Sequence, residues 1–294
     1  MMQQTDEATV DVEWRRGDAL VVVLALVVWA SCTTGGPVGV PDNTGPIAEY
    51  FKGDGDLDSG FCPGAPAPID VNGVLAAQLY RGPGVTDADL VKITSQIDGF
   101  FRRYGIAFSA ASSPSEISHR TIIGGSVTEI ERALTGADVE ADSLEGRLMS
   151  ARIVYDDLRA FLNTHALPSQ PQINIVLLDD IARSDSVALA VLGDIAGLAF
   201  SPEVVRVAND SDPIIATALG VAGDFTPTVL LSASRLRKMP DLEATVVIAH
   251  EVAHAMGLSH DLRTWNLMYE HRVSCLPGLA PNQIEQIKSS QIVL

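Results

Sequence analysis

Four side chains that could bind a metal and move a proton fall within one short run, His250-Glu251-Val252-Ala253-His254-Ala255-Met256-Gly257-Leu258-Ser259-His260. On a helix, positions i and i+4 lie one turn apart on the same face, so His250 and His254 can present two imidazoles to one ion. Gly257 tolerates the left-handed backbone that ends helices, and the chain can then fold back to bring His260 in as a third ligand. Three protein nitrogens leave a fourth position open for water, the arrangement of a catalytic rather than a structural zinc site. Glu251 is rotated about 100° from His250 on a helix of 3.6 residues per turn, so it points beside the metal rather than at it. There it can hold a zinc-bound water and take its proton as a peptide carbonyl is attacked.

The flanking residues Thr245-Val246-Val247-Ile248-Ala249 and Val252-Ala253 make the helix apolar nearly all round, which predicts burial. Buried histidines and a buried glutamate need a partner, and one Zn2+ satisfies them together. Average residue usage gives this five-residue pattern by chance in about one chain in 10⁵ of this length.

The signature His250, Glu251, His254, Gly257, His260 resembles that of the metzincin clan of zinc metalloproteases. Asn266-Leu267-Met268-Tyr269 is similar to the clan's methionine turn, with a matrixin-like spacing after His260, whereas Asp261 is similar to the adamalysin pattern; the subfamily stays open. The resemblance implies a zinc endopeptidase with Glu251 as acid/base, Met268 beneath the metal and Asp261 orienting the site. It also implies that Gly197, Leu198, Ala199 and Phe200 form an antiparallel edge strand that binds substrate. Two alternatives share these residues: a metzincin-fold binding lipoprotein without peptidase activity, and a zinc hydrolase of a non-protein amide.

Hydrophobic periodicity supplies the elements that must position the site. Strands are predicted at Val74–Tyr80, Ile106–Ala110, Ile173–Leu178, Gly197–Phe200 and Thr228–Leu231. Helices are predicted over Asp87–Tyr104, around Ser143–Thr164, from about Asp241, and over Pro281–Ser289, where Pro stands near the first position. The fold class is therefore α/β (α+β). The clan resemblance adds a zincin-like domain over 69–294: a twisted mixed sheet of about five strands packed on the active-site helix and a second helix. Residues 111–170 read as an insertion.

The N-terminal part belongs to export rather than to the fold. Ala19–Ser31 is an uncharged apolar run of 13 residues behind Arg15 and Arg16, too short to span a bilayer and fitting a signal peptide over 1–31. Trp29-Ala30-Ser31-Cys32 resembles a bacterial lipoprotein cleavage site, with Cys32 lipidated; plain secretion and an uncleaved anchor are the alternatives. Residues 32–68 are rich in Gly, Pro and Asp, as a tether is. Lipidation of Cys32 would leave Cys62 and Cys275 as a possible disulfide, against two unpaired thiols. The reading is an exported, cell-envelope lipoprotein with a protein or peptide substrate.

Two functions are disfavoured. A net charge of −17 argues against nucleic-acid binding. Asp54, Asp56 and Asp58 alternate as calcium-loop carboxylates do, but Ser59 and Ala65 stand where that loop requires Gly and Glu, so calcium is unsupported.

Overall fold

The computed structural model describes residues 70–111, 113–187, 195–211, 214–221, 223–269 and 275–294. The segments expected to be a signal peptide and a tether, with Cys32 and Cys62, lie outside these. None of the described helices is long and apolar enough to cross a membrane.

The chain opens with β1 (Gly73–Arg81), α1 (Asp87–Phe101), a 3₁₀ turn (Arg102–Tyr104) and β2 (Ile106–Ala110), with β1 and β2 parallel. Thr86 starts α1 through a capping box with Asp89, and Gly105, at φ 79°, turns the chain into β2. Next come β3 (Ser115–Glu116), α2 (Val127–Ala137), α3 (Leu144–Val154), α4 (Asp156–His165) and β4 (Ile173–Leu178). After these follow β5 (Gly197–Phe200), α5 (Pro202–Ser211), α6 (Ile214–Leu219), β6 (Thr228–Ser232), α7 (Ala233–Leu236), α8 (Asp241–Ala255) and α9 (Pro281–Ser289).

The described strands form a six-stranded, mostly parallel sheet in the order β2-β1-β4-β6-β5, with β3 paired to the end of β1. Only β5 runs antiparallel, at the edge beside β6. β4 is apolar throughout except Asn174 and is buried at every position, as a central parallel strand covered on both faces must be.

Register divides the sheet into two cores. Leu79, Ile175 and Val229 lie side by side and face α1, α8 and α9. Their neighbours Tyr80, Val176 and Leu230 point the other way, toward α2, α3, α4 and α6. Residues 111–170 thus contribute a full packing layer, with Ile130, Leu158, Phe161 and Leu162 buried.

That layer is where structure and expectation part. The single helix expected around Ser143–Thr164 is two, because Tyr155 takes φ −107° and ψ 15°, ending α3 and starting α4. Tyr155 is 2% exposed, so packing its ring accompanies the break. α2, α5 and α6 were not expected, although Ser126 and Glu129 make a reciprocal capping box at the start of α2.

Candidate metal centre

α8 carries the first three of the four chemical side chains and is buried from Ile248 through Ala255. It ends as the sequence predicts. Gly257 has φ +88°, its N–H donates to the His254 carbonyl, and the Leu258 N–H donates to the Ala253 carbonyl. This is the paired-bond helix stop that favours glycine at its left-handed residue. The reversal returns His260 to the helix end, and the ligating atoms of His250, His254 and His260 all lie within 4.8 Å of one another.

The backbone fixes which nitrogen of each buried imidazole faces the cluster. His250 Nδ1 is 2.7 Å from the Leu267 carbonyl and His254 Nδ1 is 2.7 Å from the Leu258 carbonyl. A carbonyl only accepts, so both Nδ1 atoms must carry the proton, which leaves each Nε2 in the neutral ring with a lone pair. Those two Nε2 atoms are 2.9 Å apart, and His260 Nε2 is 3.1 Å from that of His254. Two lone pairs held face to face in a buried pocket repel unless a cation lies between them. Burial also pushes His250 down to about 3 and His254 well below the ordinary histidine range, each reinforced by neighbouring imidazoles, so protonation does not relieve the repulsion. The donor set therefore fits a metal ion. Three nitrogens each about 2.0–2.1 Å from one zinc cannot be more than roughly 4 Å apart, which the 2.9 Å and 3.1 Å spacings satisfy.

Glu251 is fully buried and faces β5. A Cβ at Gly197 would lie 2.6 Å from Glu251 Cγ, closer than any side chain tolerates, so α8 approaches the strand as closely as it does because residue 197 is glycine. Gly197, Leu198, Ala199 and Phe200 occupy the sheet edge, and all four are buried. Met268 is buried in the turn beside His250. Asp261 follows the third histidine, donates its N–H to the Met268 carbonyl and accepts both the backbone N–H and the guanidinium of Arg263. That arginine holds the Asp261 carboxyl below its usual range.

Several contributors were not foreseen. The Leu258 and Leu267 carbonyls act through the backbone, which residue types do not reveal. Asn266 and Gln283, both buried, join the methionine-containing turn to α9 by a 2.7 Å bond. A signal existed for Gln283: it stands three residues after Ala280, where a helix start favours Glu or Gln. Cys275 is disulfide-bonded, and its partner lies outside the described residues.

A cleft of 510 Å³ lies in the other half of the molecule, lined by α3 and α4 residues such as Met149, Arg152 and Asp156 and by Gly124 and Arg183. None of the sequence-predicted site residues lines it.

No family profile and no curated protein sequence matches the chain. Among solved structures it is similar to metalloproteinase-II from Bacteroides fragilis, at 14% identity and a TM-score of 0.39, covering 90% of this chain but only 60% of that one. It is also similar to a zinc-dependent peptidase from Methanocorpusculum labreanum, at 12% identity and a TM-score of 0.35, covering 72% of this chain and 99% of that one.

Proposed function

We propose that the chain is a zinc-dependent endopeptidase. The observation that carries this reading is the pair of Nδ1–H···O=C bonds that turn the Nε2 lone pairs of His250 and His254 toward one point, beside His260. His250, His254 and His260 would hold the zinc. When bound, the ion supplies a Lewis acid that polarises the scissile carbonyl and lowers the pKa of water toward about 7. Glu251 takes one proton from the attacking water as its oxygen bonds to the carbonyl carbon. The same carboxyl then returns that proton to the amide nitrogen as the C–N bond breaks, leaving a new carboxyl and a free amine. Among the described residues β5 has a strand neighbour on one side only, so an extended peptide would pair along its other edge by main-chain hydrogen bonds. Asp261 and Met268 would steady the turns around the ligands.

Digestion of a peptide library by the zinc-loaded chain tests this. Cleavage should stop with a chelator and in Glu251→Gln, which should still bind one zinc. A metal-loaded Glu251→Gln protein as active as the parent sinks the reading.

The burial of Gly197–Phe200 favours a second reading, a domain that binds a partner without cleaving it. A fully zinc-loaded parent that leaves the whole library intact would favour that one. For location, we propose a cell-envelope lipoprotein anchored through Cys32; labelling with a fatty-acid analogue should be lost in Cys32→Ser.

A further inference from the structure

α9 approaches the metal centre with two glutamines one turn apart, and each holds a backbone segment that in turn holds a histidine. Gln283 Oε1 accepts from Asn266 Nδ2 at 2.7 Å and from the Ala280 N–H at 2.9 Å. Accepting twice fixes that oxygen's identity, and it places Nε2 toward Asp261, at a long 3.5 Å. With its nitrogen so occupied, Asn266 turns Oδ1 to the Met268 N–H at 2.8 Å, closing a loop around Leu267. The Leu267 carbonyl is the group that receives the His250 Nδ1 proton.

Gln286 does the corresponding work one turn on. Its Nε2 donates to the Gly257 carbonyl at 2.8 Å, while the N–H of the same peptide unit donates to Ala253. That peptide plane is held at both ends, and the next carbonyl along, Leu258, receives the His254 Nδ1 proton.

We propose that α9 is the template for the metal centre, with Gln283 and Gln286 as positioning residues that set the tautomer and ring orientation of His250 and His254 through the Leu267 and Leu258 carbonyls. This rests on the zinc reading above. Outer partners of this kind change metal affinity by about 10- to 100-fold when removed. Gln283 is the deeper of the two: without its oxygen the Asn266 amide, 1% exposed, has a buried donor to satisfy and no reason to keep Oδ1 on Met268.

The test is zinc affinity of the full chain, measured by competition with a chromogenic chelator. Gln283→Leu and Gln286→Leu are compared with Gln283→Glu, which keeps the accepting oxygen, and with Gln96→Leu. Gln96 makes a like bond, Nε2 to the Asp241 carbonyl at 3.2 Å, at the far end of α8. Affinity should fall about 10- to 100-fold in the two leucine variants of α9. It should stay within about twofold in Gln96→Leu and recover part of the loss in Gln283→Glu, whose second oxygen would face the Asp261 carboxylate. Hydrogen exchange at the His250 ring N–H of the zinc-loaded protein should quicken in Gln283→Leu. If Gln283→Leu fails to fold, the more exposed Gln286→Leu still decides the matter through the His254 ring N–H. A parent that binds one zinc while both α9 variants match it, or while Gln96→Leu loses as much, overturns the proposal alone. A parent that binds no zinc overturns the metal reading itself.

Discussion

Gly197 of β5 lies against Glu251 of α8: a methyl carbon on residue 197 would stand 2.6 Å from Glu251 Cγ and 3.2 Å from Val247 Cγ1. The strand offered as the substrate edge and the residue offered as the proton carrier are thus fitted to each other. Gly197→Ala must displace the glutamate stem, since Glu251 is fully buried and Val247, partly buried, stands beside it. We expect kcat on a cleaved peptide to fall about 100-fold, the effect of misplacing a catalytic group by an ångström. One zinc should remain bound, because the atoms nearest to a methyl carbon on residue 197 belong to Glu251 and Val247 and not to a histidine. A variant with parental kcat would separate the strand from the chemistry.

Metal removal should cost stability as well as activity. Zinc at about 1,000 times its dissociation constant stabilises a folded protein by about 4 kcal/mol if the unfolded chain does not bind it. The metal-free chain should also become acid-sensitive. His250 is held down to about 3, chiefly by burial, so the unfolded chain binds more protons than the folded one below its ordinary pKa of 6.5. Stability should be full above that value and fall as pH drops from 6.5 toward 3. Thermal melts of chelated and zinc-loaded protein across pH 5 to 8 check both effects.

What could be read from the sequence was whatever one residue type does at a fixed spacing. The i, i+4 histidines, the left-handed Gly257 and the continuous apolar run of β4 each follow from local rules, and each stands where it was expected. The helical layer over 111–170 did not follow. The division into α3 and α4 at Tyr155 comes with burying a large ring in the core that also holds Leu158 and Ile123, which no periodicity within the segment encodes. The orientation of the histidine rings was equally hidden, because His250 and His254 bond to main-chain carbonyls, and the turn that carries the first of these is tied to Gln283, 23 residues beyond the third histidine.

An ion pair fixes the start of α1 to the segment leading into α8. Asp89 accepts from Arg237 at 2.7 Å and also receives the Thr86 N–H, so one carboxylate closes the helix cap and bridges 148 positions of sequence. These contacts, Arg237 foremost, hold Asp89 well below its usual range. Asp89→Ala should cost about 1–2 kcal/mol, the range of a lost cap with a partly exposed ion pair. For a depressed carboxyl the contribution is complete above the unfolded value near 3.9 and is lost as pH falls below it. Denaturant midpoints of parent and variant should therefore differ at pH 7 and converge in strong acid.

Glu243 is expected to behave in the opposite sense. It lies in the first turn of α8, 3% exposed, and among the described residues neither carboxylate oxygen has a hydrogen-bond partner. Desolvation accordingly raises its pKa. Two effects compete there. A negative charge in a helix's first turn is worth about 0.3–1 kcal/mol. Leaving a buried acceptor unsatisfied costs about 1–3 kcal/mol, more if charged. The cost outweighs the gain, so Glu243→Met, which keeps the length of the side chain, should stabilise the protein by about 1–2 kcal/mol at pH 8. Because the folded carboxyl holds its proton more tightly than the unfolded one, the parent loses stability as pH rises from about 4.3 through the folded value. The advantage of Glu243→Met should accordingly widen between pH 5 and pH 8 in denaturant titrations. A variant less stable than the parent at pH 8 would mean that the carboxylate is held by a partner that Met cannot replace.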